Sequence, residues 1–303
     1  MIALNKIFSV DSPRSESERI ASKCVCCNSA ELKSSPAILM PFIADRVFGW
    51  KPVVIDESWG LKSIKIGSAY SICNSLYCPE CGLLFLDIRF SDSELKKLYK
   101  NYREKEYVDL REFYEPGYKE RNNSLVLGIN YIDKIEQFLQ PFMPASPRVL
   151  DWGGGTGVNT PFKEKNETFD IYDIGENALI PGAQFISKKE IEKNHYDLVV
   201  LSNVLEHVPY PIELLLDIKN VIQGDAVLYI EIPLENIMET QKINPQYFKK
   251  HWHEHINFFS EQSLIRLIDR CGMKLLSMNK LRASAGGASN YLLQIACELN
   301  QVS

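Results

Sequence analysis

A glycine-rich stretch follows a short apolar run in the middle of the chain. Val149–Asp151 leads through Trp152 to glycines at three alternate positions, Gly153, Gly155 and Gly157. Glycine tolerates positive φ and, because it has no Cβ, lets a ligand lie directly against the main chain. The spacing is G-x-G-x-G rather than the dinucleotide G-x-G-x-x-G, and no Gly-Lys-Ser/Thr follows to hold a triphosphate. The stretch predicts a strand entering a ligand-binding loop and argues against NAD and ATP.

Six of the eight cysteines lie between residues 24 and 81, and four of them form two C-x-x-C pairs. The pairs are Cys24 with Cys27 and Cys78 with Cys81. Two intervening residues let both thiolates of a pair turn toward one ion, and four thiolates close a tetrahedron with no open position. We therefore expect a structural Zn²⁺ here. Cys26 and Cys73 do not fit the spacing and are predicted bystanders, although Cys26 could replace Cys24.

Three of the five histidines fall within five residues, at His251, His253 and His255. An extended segment would put His253 and His255 on one side. The pattern is not the helical H-E-x-x-H of metalloproteases, so it does not favour a catalytic metal on this segment. Histidine titrates near neutrality and is suited to accepting a proton during a reaction.

Four stretches in the second half of the chain resemble motifs of the class I S-adenosylmethionine-dependent methyltransferases. They are Val149–Gly157, Phe169–Gly175, Tyr196–Val208 and Ala226–Pro233. They occur in the family's order and cover roughly residues 125–300. The resemblance implies an α/β fold with a Rossmann-like seven-stranded class I methyltransferase sheet, here preceded by a small N-terminal four-cysteine zinc module.

The same resemblance implies S-adenosylmethionine as cofactor and assigns residues to it. Asp173, at the end of the second strand, corresponds to the acid that accepts hydrogen bonds from both ribose hydroxyls. The implied cofactor-binding residues are Asp151, Gly153, Gly155, Gly157, Asp173 and Asn203. Ser187 and Lys188 stand where relatives often place an acid for the adenine amine, so the adenine contacts are left open.

Two features resemble sugar methyltransferases of deoxysugar and surface-polysaccharide pathways. One is the zinc module ahead of the methyltransferase motifs; the other is the E-H-x-x-F-F-S stretch that begins at Glu254. The resemblance implies O-methylation of a sugar, either a nucleotide sugar or a glycan. His255 is then the base, Glu254 its orienting or alternative group, and His207 a second substrate contact.

Three other functions remain open from the sequence. Sugar C-methyltransferases of similar type carry a further carboxy-terminal domain that this sequence lacks, which favours O-methylation. Methylation of ribosomal RNA is disfavoured by a net charge of -5 and a pI near 5.7, because nucleic acid demands clustered Lys and Arg. A non-catalytic scaffold is disfavoured by the glycines and by Asp173.

The patterning also predicts the domains and their setting. We expect a flexible tail at 1–20, the zinc module at 21–90, a helical linker or lid rich in tyrosine at 91–124, and the methyltransferase domain at 125–303. No apolar run approaches the roughly 20 residues that span a bilayer, and no export signal is evident. We expect a cytoplasmic enzyme that acts on a small sugar or glycan acceptor, without nucleic acid and without a membrane span.

Local signals predict the elements that must position these residues. Helices are expected from Ser91 onward, over Leu125–Leu139, at Thr160–Pro161, and from Ser260 to Gly272. Short strands are expected within Ala37–Ala44, Val53–Ile55 and Ser63–Gly67, at Ala183–Ile186, and at the antiparallel pair Lys274–Ser277 and Tyr291–Ala296.

Overall fold

The structure is a computed structural model that describes residues 18–51, 72–126, 128–175, 178–222, 224–240, 243–285 and 288–299. Most of the predicted tail, and the strands predicted at 53–55 and 63–67, lie outside these residues. The strands are β1 (Lys33–Leu39), β2 (Cys73–Tyr77), β3 (Leu84–Leu86), β4 (Val149–Trp152), β5 (Phe169–Tyr172), β6 (Ala183–Phe185), β7 (Leu198–Ser202), β8 (Val227–Leu234), β9 (His251–Trp252), β10 (Asn257–Phe258), β11 (Lys274–Ala285) and β12 (Ala288–Glu298). The helices are α1 (Pro41–Phe48), α2 (Asp92–Tyr99), α3 (Lys105–Tyr114), α4 (Tyr118–Val126), α5 (Ile132–Leu139), α6 (Lys188–Ile191), α7 (Pro211–Val221), α8 (Asn236–Glu239) and α9 (Glu261–Arg270).

The large sheet has seven strands in the order β11-β12-β8-β7-β4-β5-β6. From β8 to β6 all neighbours are parallel, whereas β12 is antiparallel to both β8 and β11. This is the class I methyltransferase arrangement, so the predicted fold is confirmed. The chain leaves β4 toward β5 on one side and reaches β7 on the other, so the carboxyl ends of β4 and β7 flank the crevice where such sheets bind ligands.

Helices cover both faces of the large sheet. On one face α7 and α9 pack with Val199 and Leu201 of β7, and on the other α5 packs with Leu198 and Val200. Because both faces are covered, the central strands read as continuous apolar runs rather than alternating ones.

The small sheet has the order β10-β3-β2-β1-β9, so β9 and β10 lie at opposite edges. Only residues 253–256 connect them. Four strand spacings in a flat sheet are about 19 Å, whereas five residue steps span at most about 18 Å. The small sheet must therefore curl, and the histidine-bearing segment crosses its open end. The domain boundary expected at residue 90 remains a prediction. The small sheet is not confined to the residues before that boundary, because β9 and β10 come from residues 251–258.

Arg89 joins the small sheet to the large domain. Its guanidinium, only 1% exposed, donates to the carbonyl of Pro209 (3.0 Å) and to Oδ1 of Asn257 (3.0 Å). Burial lowers the pKa of Arg89 to about 10. Several acceptors around one buried cation make the two sheets a single packed unit.

Two of the predicted helices are confirmed. Ser91 caps α2 in a reciprocal capping box with Glu94, which satisfies backbone N–H groups at both positions. Ser260 caps α9 by accepting from the Ser263 N–H, and the helix ends before Gly272, whose φ is +61°. The last two strands are also found as an antiparallel pair, longer than predicted.

Three local predictions are wrong. The helix expected over Leu125–Leu139 is divided between α4 and α5, with Gly128 between them at φ +87°. No helix begins at Thr160–Pro161, because the Thr160 hydroxyl donates to Asp151 (2.6 Å) and a single 3₁₀ turn follows. The run Ala37–Ala44 changes from strand to helix at Pro41, a residue suited to the first helical turn.

Candidate active site

The glycine loop after β4 has the predicted backbone. Gly153, Gly155 and Gly157 have φ of +86°, +58° and +82°, values that L side chains rarely adopt. A Cβ at Gly157 would lie 3.0 Å from the Phe169 ring, but a Cβ at Gly155 would meet no atom within 4 Å. The loop is therefore packed at its end and open at its centre, where a ligand can approach the main chain.

Two carboxylates hold the glycine loop. Asp173 follows β5 and accepts from the N–H groups of Gly155 (2.8 Å) and Gly175 (2.6 Å). Burial raises the pKa of Asp173, and these backbone bonds oppose the rise. Asp151 lies beneath the loop, where burial raises its pKa to about 7, and a Cβ at Gly154 would come within 2.6 Å of its carboxylate oxygen. Asp173 is thus at the loop's edge and Asp151 is its support.

The segment after β7 lies against the glycine loop. A Cβ at Gly153 would be 2.7 Å from Cγ2 of Val204. Asn203, the predicted cofactor contact, is exposed with φ +53°, and its N–H donates to the Glu231 carbonyl (2.8 Å). Glu206 and His207 follow directly in sequence, so they lie close to the ligand crevice.

The structure brings His207 and His255 together from distant parts of the sequence. Their ring centroids are 4.7 Å apart and the rings are nearly perpendicular, at 82°. The backbone fixes this pairing, because the N–H groups of Ile256 (2.8 Å) and Asn257 (3.0 Å) both donate to the carbonyl of Glu206. Both predicted substrate contacts thus lie in one cluster near the crevice.

His207 is partly buried and is held at one ring nitrogen. Its Nδ1 is 2.8 Å from the Tyr99 hydroxyl and 3.1 Å from the Glu254 carbonyl. A carbonyl oxygen only accepts, so Nδ1 carries the proton and Nε2 keeps a lone pair. Burial, and then the nearby charge of His255, lower the pKa of His207 to about 3. Tyr99 ends α2, within the predicted tyrosine-bearing lid.

The carboxylate behind His255 was not found from the sequence. Nδ1 of His255 is 2.9 Å from Oε1 of Glu235, which lies 20 positions earlier. Burial opposes the charged imidazole, but the hydrogen bond to Glu235 and the charges of Glu206 and Glu254 outweigh it and raise the pKa of His255. Glu235, not Glu254, is the carboxylate that orients His255. No sequence motif links positions 235 and 255.

The carboxylate of Glu254 is directed instead at Arg111 of α3. Arg111 donates to Glu254 (3.0 Å) and to Glu115 (3.1 Å) and lies over the Tyr118 ring (4.2 Å). Burial alone would raise the pKa of Glu254, but the Arg111 charge lowers it to about 2. His253 hydrogen-bonds Glu115, so it does not share the site of His255.

The four predicted cysteines form one cluster. Sγ of Cys24 is 3.6 Å from Sγ of Cys81, Sγ of Cys27 is 3.5 Å from Sγ of Cys78, and all four lie within 4.8 Å of one another. Zinc–sulfur bonds of about 2.3 Å in a tetrahedron place sulfurs about 3.8 Å apart. The cluster therefore has the dimensions of a Zn²⁺ site.

The other two cysteines of this region lie elsewhere. The Cys26 thiol donates to the Ser263 carbonyl of α9 (2.9 Å), and Cys73 is buried in the core of the small sheet. Cys24, not Cys26, thus belongs to the cluster. Further bonds from α9, Gln262 to the Glu80 carbonyl and Arg270 to the Cys26 carbonyl, attach both cysteine loops to the large domain.

The chain is similar to one family model and to several solved structures. A family model described as a methyltransferase domain matches residues 124–278, just over half of the chain. No curated protein matches the chain. Among solved structures, the chain is similar to a SAM-dependent methyltransferase from Methanosarcina mazei (14% identity, 53% of this chain and 96% of that one, TM-score 0.41). It is also similar to magnesium protoporphyrin IX methyltransferase from Synechocystis PCC 6803 with bound SAH (13%, 66% and 97%, TM-score 0.41).

Among the helices that the structure describes, none has the length and apolar composition that a bilayer-spanning helix needs.

The Arg111–Glu254 pair gives a first prediction. Arg111→Met leaves a largely buried carboxylate without its cation and should lower the free energy of unfolding by about 3 kcal/mol. Adding Glu254→Gln should recover part of this loss, so urea denaturation of both single variants and the double variant should show a coupling above about 1 kcal/mol. Lys105→Met, which removes an exposed ion pair with Asp109, should leave the denaturation midpoint unchanged. Strict additivity would contradict this interpretation of the pair.

Proposed function

The chain belongs to the methyltransferase-domain family, and from that premise we propose that this S-adenosylmethionine-dependent methyltransferase transfers its methyl group to a sugar hydroxyl. When bound, S-adenosylmethionine supplies a methyl group on a positively charged sulfur. The acceptor oxygen can attack the methyl carbon in line with the carbon–sulfur bond, and the sulfur is the leaving group. The protein has to align the acceptor and accept its proton. The observation that carries the proposal is the His255–Glu235 dyad, at 2.9 Å, beside the crevice of the large sheet.

The cofactor half of the proposal rests on the loop after β4. The space over Gly155 admits a ligand against the main chain, and the carboxylate of Asp173 at its edge suits two adjacent ribose hydroxyls. Gly153 and Gly157 shape the loop, Asp151 supports it from below, and Asn203 is exposed directly after β7. These are the six residues expected from the sequence.

The acceptor half rests on the histidine cluster. His255 accepts the hydroxyl proton at Nε2 while Glu235 holds Nδ1–H and stabilises the imidazolium that forms. His207, oriented by Tyr99 and by the Glu254 carbonyl, is the second contact to the acceptor. Glu254 thereby orients His207 through its backbone, and its pairing with Arg111 fixes the segment that carries His255.

The choice of a sugar rests on two arguments. The E-H-x-x-F-F-S stretch and the preceding cysteine module resemble sugar methyltransferases. Groups such as the Tyr99 hydroxyl and the imidazoles of His207 and His255 can donate or accept hydrogen bonds, which suits an acceptor bearing several hydroxyls. A nucleotide sugar or a glycan fits both arguments, and proton acceptance by histidine at near-neutral pH fits an oxygen nucleophile.

The cysteine cluster completes the proposal as a structural zinc site. Four thiolates leave no position for a reacting group, so the ion holds the two cysteine loops against α9 rather than taking part in transfer. The zinc module at 21–90 then acts with β9 and β10 to carry the histidine segment, and residues 91–124 supply Tyr99 as part of a lid over the site.

Cofactor binding is the first test of the function. Calorimetric titration with S-adenosylhomocysteine should give a dissociation constant near ~1 μM, about −8 kcal/mol. Asp173→Ala should weaken binding at least ~10-fold, because it removes charged acceptors for the ribose. Glu167→Ala, an exposed acid ahead of the same strand, is the matched control and should bind normally. Equal affinity in all three proteins would remove Asp173 from the site.

Methyl transfer tests the acceptor and the base together. Nucleoside diphosphate sugars and ribosomal RNA fragments should be compared as acceptors of a radiolabelled methyl group, with the product's new bond assigned by NMR as O–CH₃ or C–CH₃. On the sugar that reacts, His255→Ala should lower kcat at least ~100-fold, and Glu235→Gln roughly tenfold to hundredfold. Cofactor affinity should not change. His195→Ala, an exposed histidine, should retain full turnover; unchanged turnover in His255→Ala would eliminate His255 as base.

Metal content tests the cysteine cluster. The wild-type protein should contain zinc that Cys78→Ser fails to retain, and the loss should lower Tm by on the order of 10 °C because the metal stabilises only the folded loops. Cys73→Ser, a buried cysteine outside the cluster, should keep its zinc. Retention of zinc by Cys78→Ser would disprove the assigned ligand set.

A further inference from the structure

Glu206 has a buried carboxylate that accepts no hydrogen bond from the described part of the chain. The residue is 1% exposed, and neither Oε1 nor Oε2 has a hydrogen-bond partner among the described residues. Glu231 provides the contrast, because its equally buried carboxylate accepts from four side chains. These donors are Tyr131, Ser202, Tyr229 and Gln294. A buried carboxylate without donors is costly unless a cation or a proton balances it.

Two histidines lie beside this carboxylate. Nε2 of His207 is 3.8 Å from Oε1 of Glu206, and one ligand atom from each of Glu206, His207 and His255 lies within 4.8 Å of the other two. Nδ1 of each histidine is already engaged, by the Glu254 carbonyl in His207 and by Glu235 in His255. Nε2 is therefore the nitrogen that each ring offers.

This arrangement has the inner and outer contacts of a metal site. Ligating histidines characteristically donate their other N–H to a carbonyl or a carboxylate, which fixes the tautomer and the ring orientation. Two imidazoles and one carboxylate suit divalent first-row transition metals such as Zn²⁺ and Fe²⁺. Ligand atoms about 2.1 Å from one ion in a tetrahedron are about 3.4 Å apart. Nε2 of His207 and Oε1 of Glu206 are 3.8 Å apart, so these two atoms need only a small contraction to bind the same ion.

We propose that Glu206, His207 and His255 bind a divalent transition-metal ion at a second site, separate from the four cysteines. The ion balances the Glu206 carboxylate and occupies Nε2 of both histidines. Nε2 of His255 is also the atom that accepts the proton of the acceptor hydroxyl. Ion binding and proton acceptance therefore exclude each other, and the loaded enzyme is inhibited; this consequence rests on the proposed function, whereas the binding does not.

Cobalt distinguishes the second site from the first, because thiolate ligands give Co²⁺ intense charge-transfer bands and nitrogen and oxygen ligands do not. Folded protein that holds one zinc per chain should be titrated with Co²⁺ alone. We expect one further equivalent with weak d–d bands and no charge-transfer band. Glu206→Gln and His207→Ala should each lower the Co²⁺ affinity at least ~100-fold while retaining zinc and S-adenosylhomocysteine binding. His195→Ala should bind Co²⁺ like the wild type.

Each result decides the proposal. Failure of the wild type to bind a further equivalent, or equal Co²⁺ binding by Glu206→Gln, would overturn the site and leave a proton as the partner of Glu206. Inhibition is read separately: added Zn²⁺ should lower turnover on the identified sugar at least tenfold, and a mild chelator should restore it. Full turnover with the second site occupied would overturn the exclusion. Absence of methyl transfer to every sugar would refute the proposed function without altering the cobalt spectrum.

Discussion

The candidate site depends on one backbone acceptor, the carbonyl oxygen of Glu206. It receives the N–H groups of Ile256 and Asn257 at 2.8 and 3.0 Å, while the Asn257 side chain donates to the carbonyls of Leu205 and Val208. These bonds join the segment after β7 to the segment between β9 and β10. Without them, His207 would belong to the large sheet alone and His255 to the small sheet alone.

The curled small sheet imposes the same pairing from the other side. Its two edge strands are connected by four residues, so the histidine-bearing segment must lie across the open end of the sheet. Arg89 beneath it and Arg111 beside it fill buried positions with cations that hold carbonyls and carboxylates from several elements. The large sheet supplies the crevice, and the small sheet supplies and immobilises one wall of it.

Burial then sets the chemistry of the side chains. His207 is kept neutral because it is desolvated and lies beside the charge of His255, whereas Glu254, only a few ångströms away, is kept ionised by its pairing with Arg111. The carboxylate of Glu206 is left without a donor in the same region, among the residues that the structure describes. In the proposals above, Nε2 of His255 binds either a proton or a metal ion. Its role as base and its role as metal ligand therefore use the same lone pair.

Sequence alone determined what short-range physics controls. Strand and glycine order indicated the class I fold, backbone requirements indicated Gly153, Gly155 and Gly157, and two C-x-x-C pairs indicated the cysteine cluster. The prediction of one helix over Leu125–Leu139 failed although its signal was local, because the chain breaks around Gly128 despite the apolar spacing on either side. Only the tertiary structure decided that Glu235 rather than Glu254 stands behind His255, that Tyr99 holds His207, and that the Glu206 carboxylate accepts no hydrogen bond within the described chain. Those contacts join residues 20 and 108 positions apart, and nothing in local periodicity or spacing records which distant loops a folded backbone will bring together.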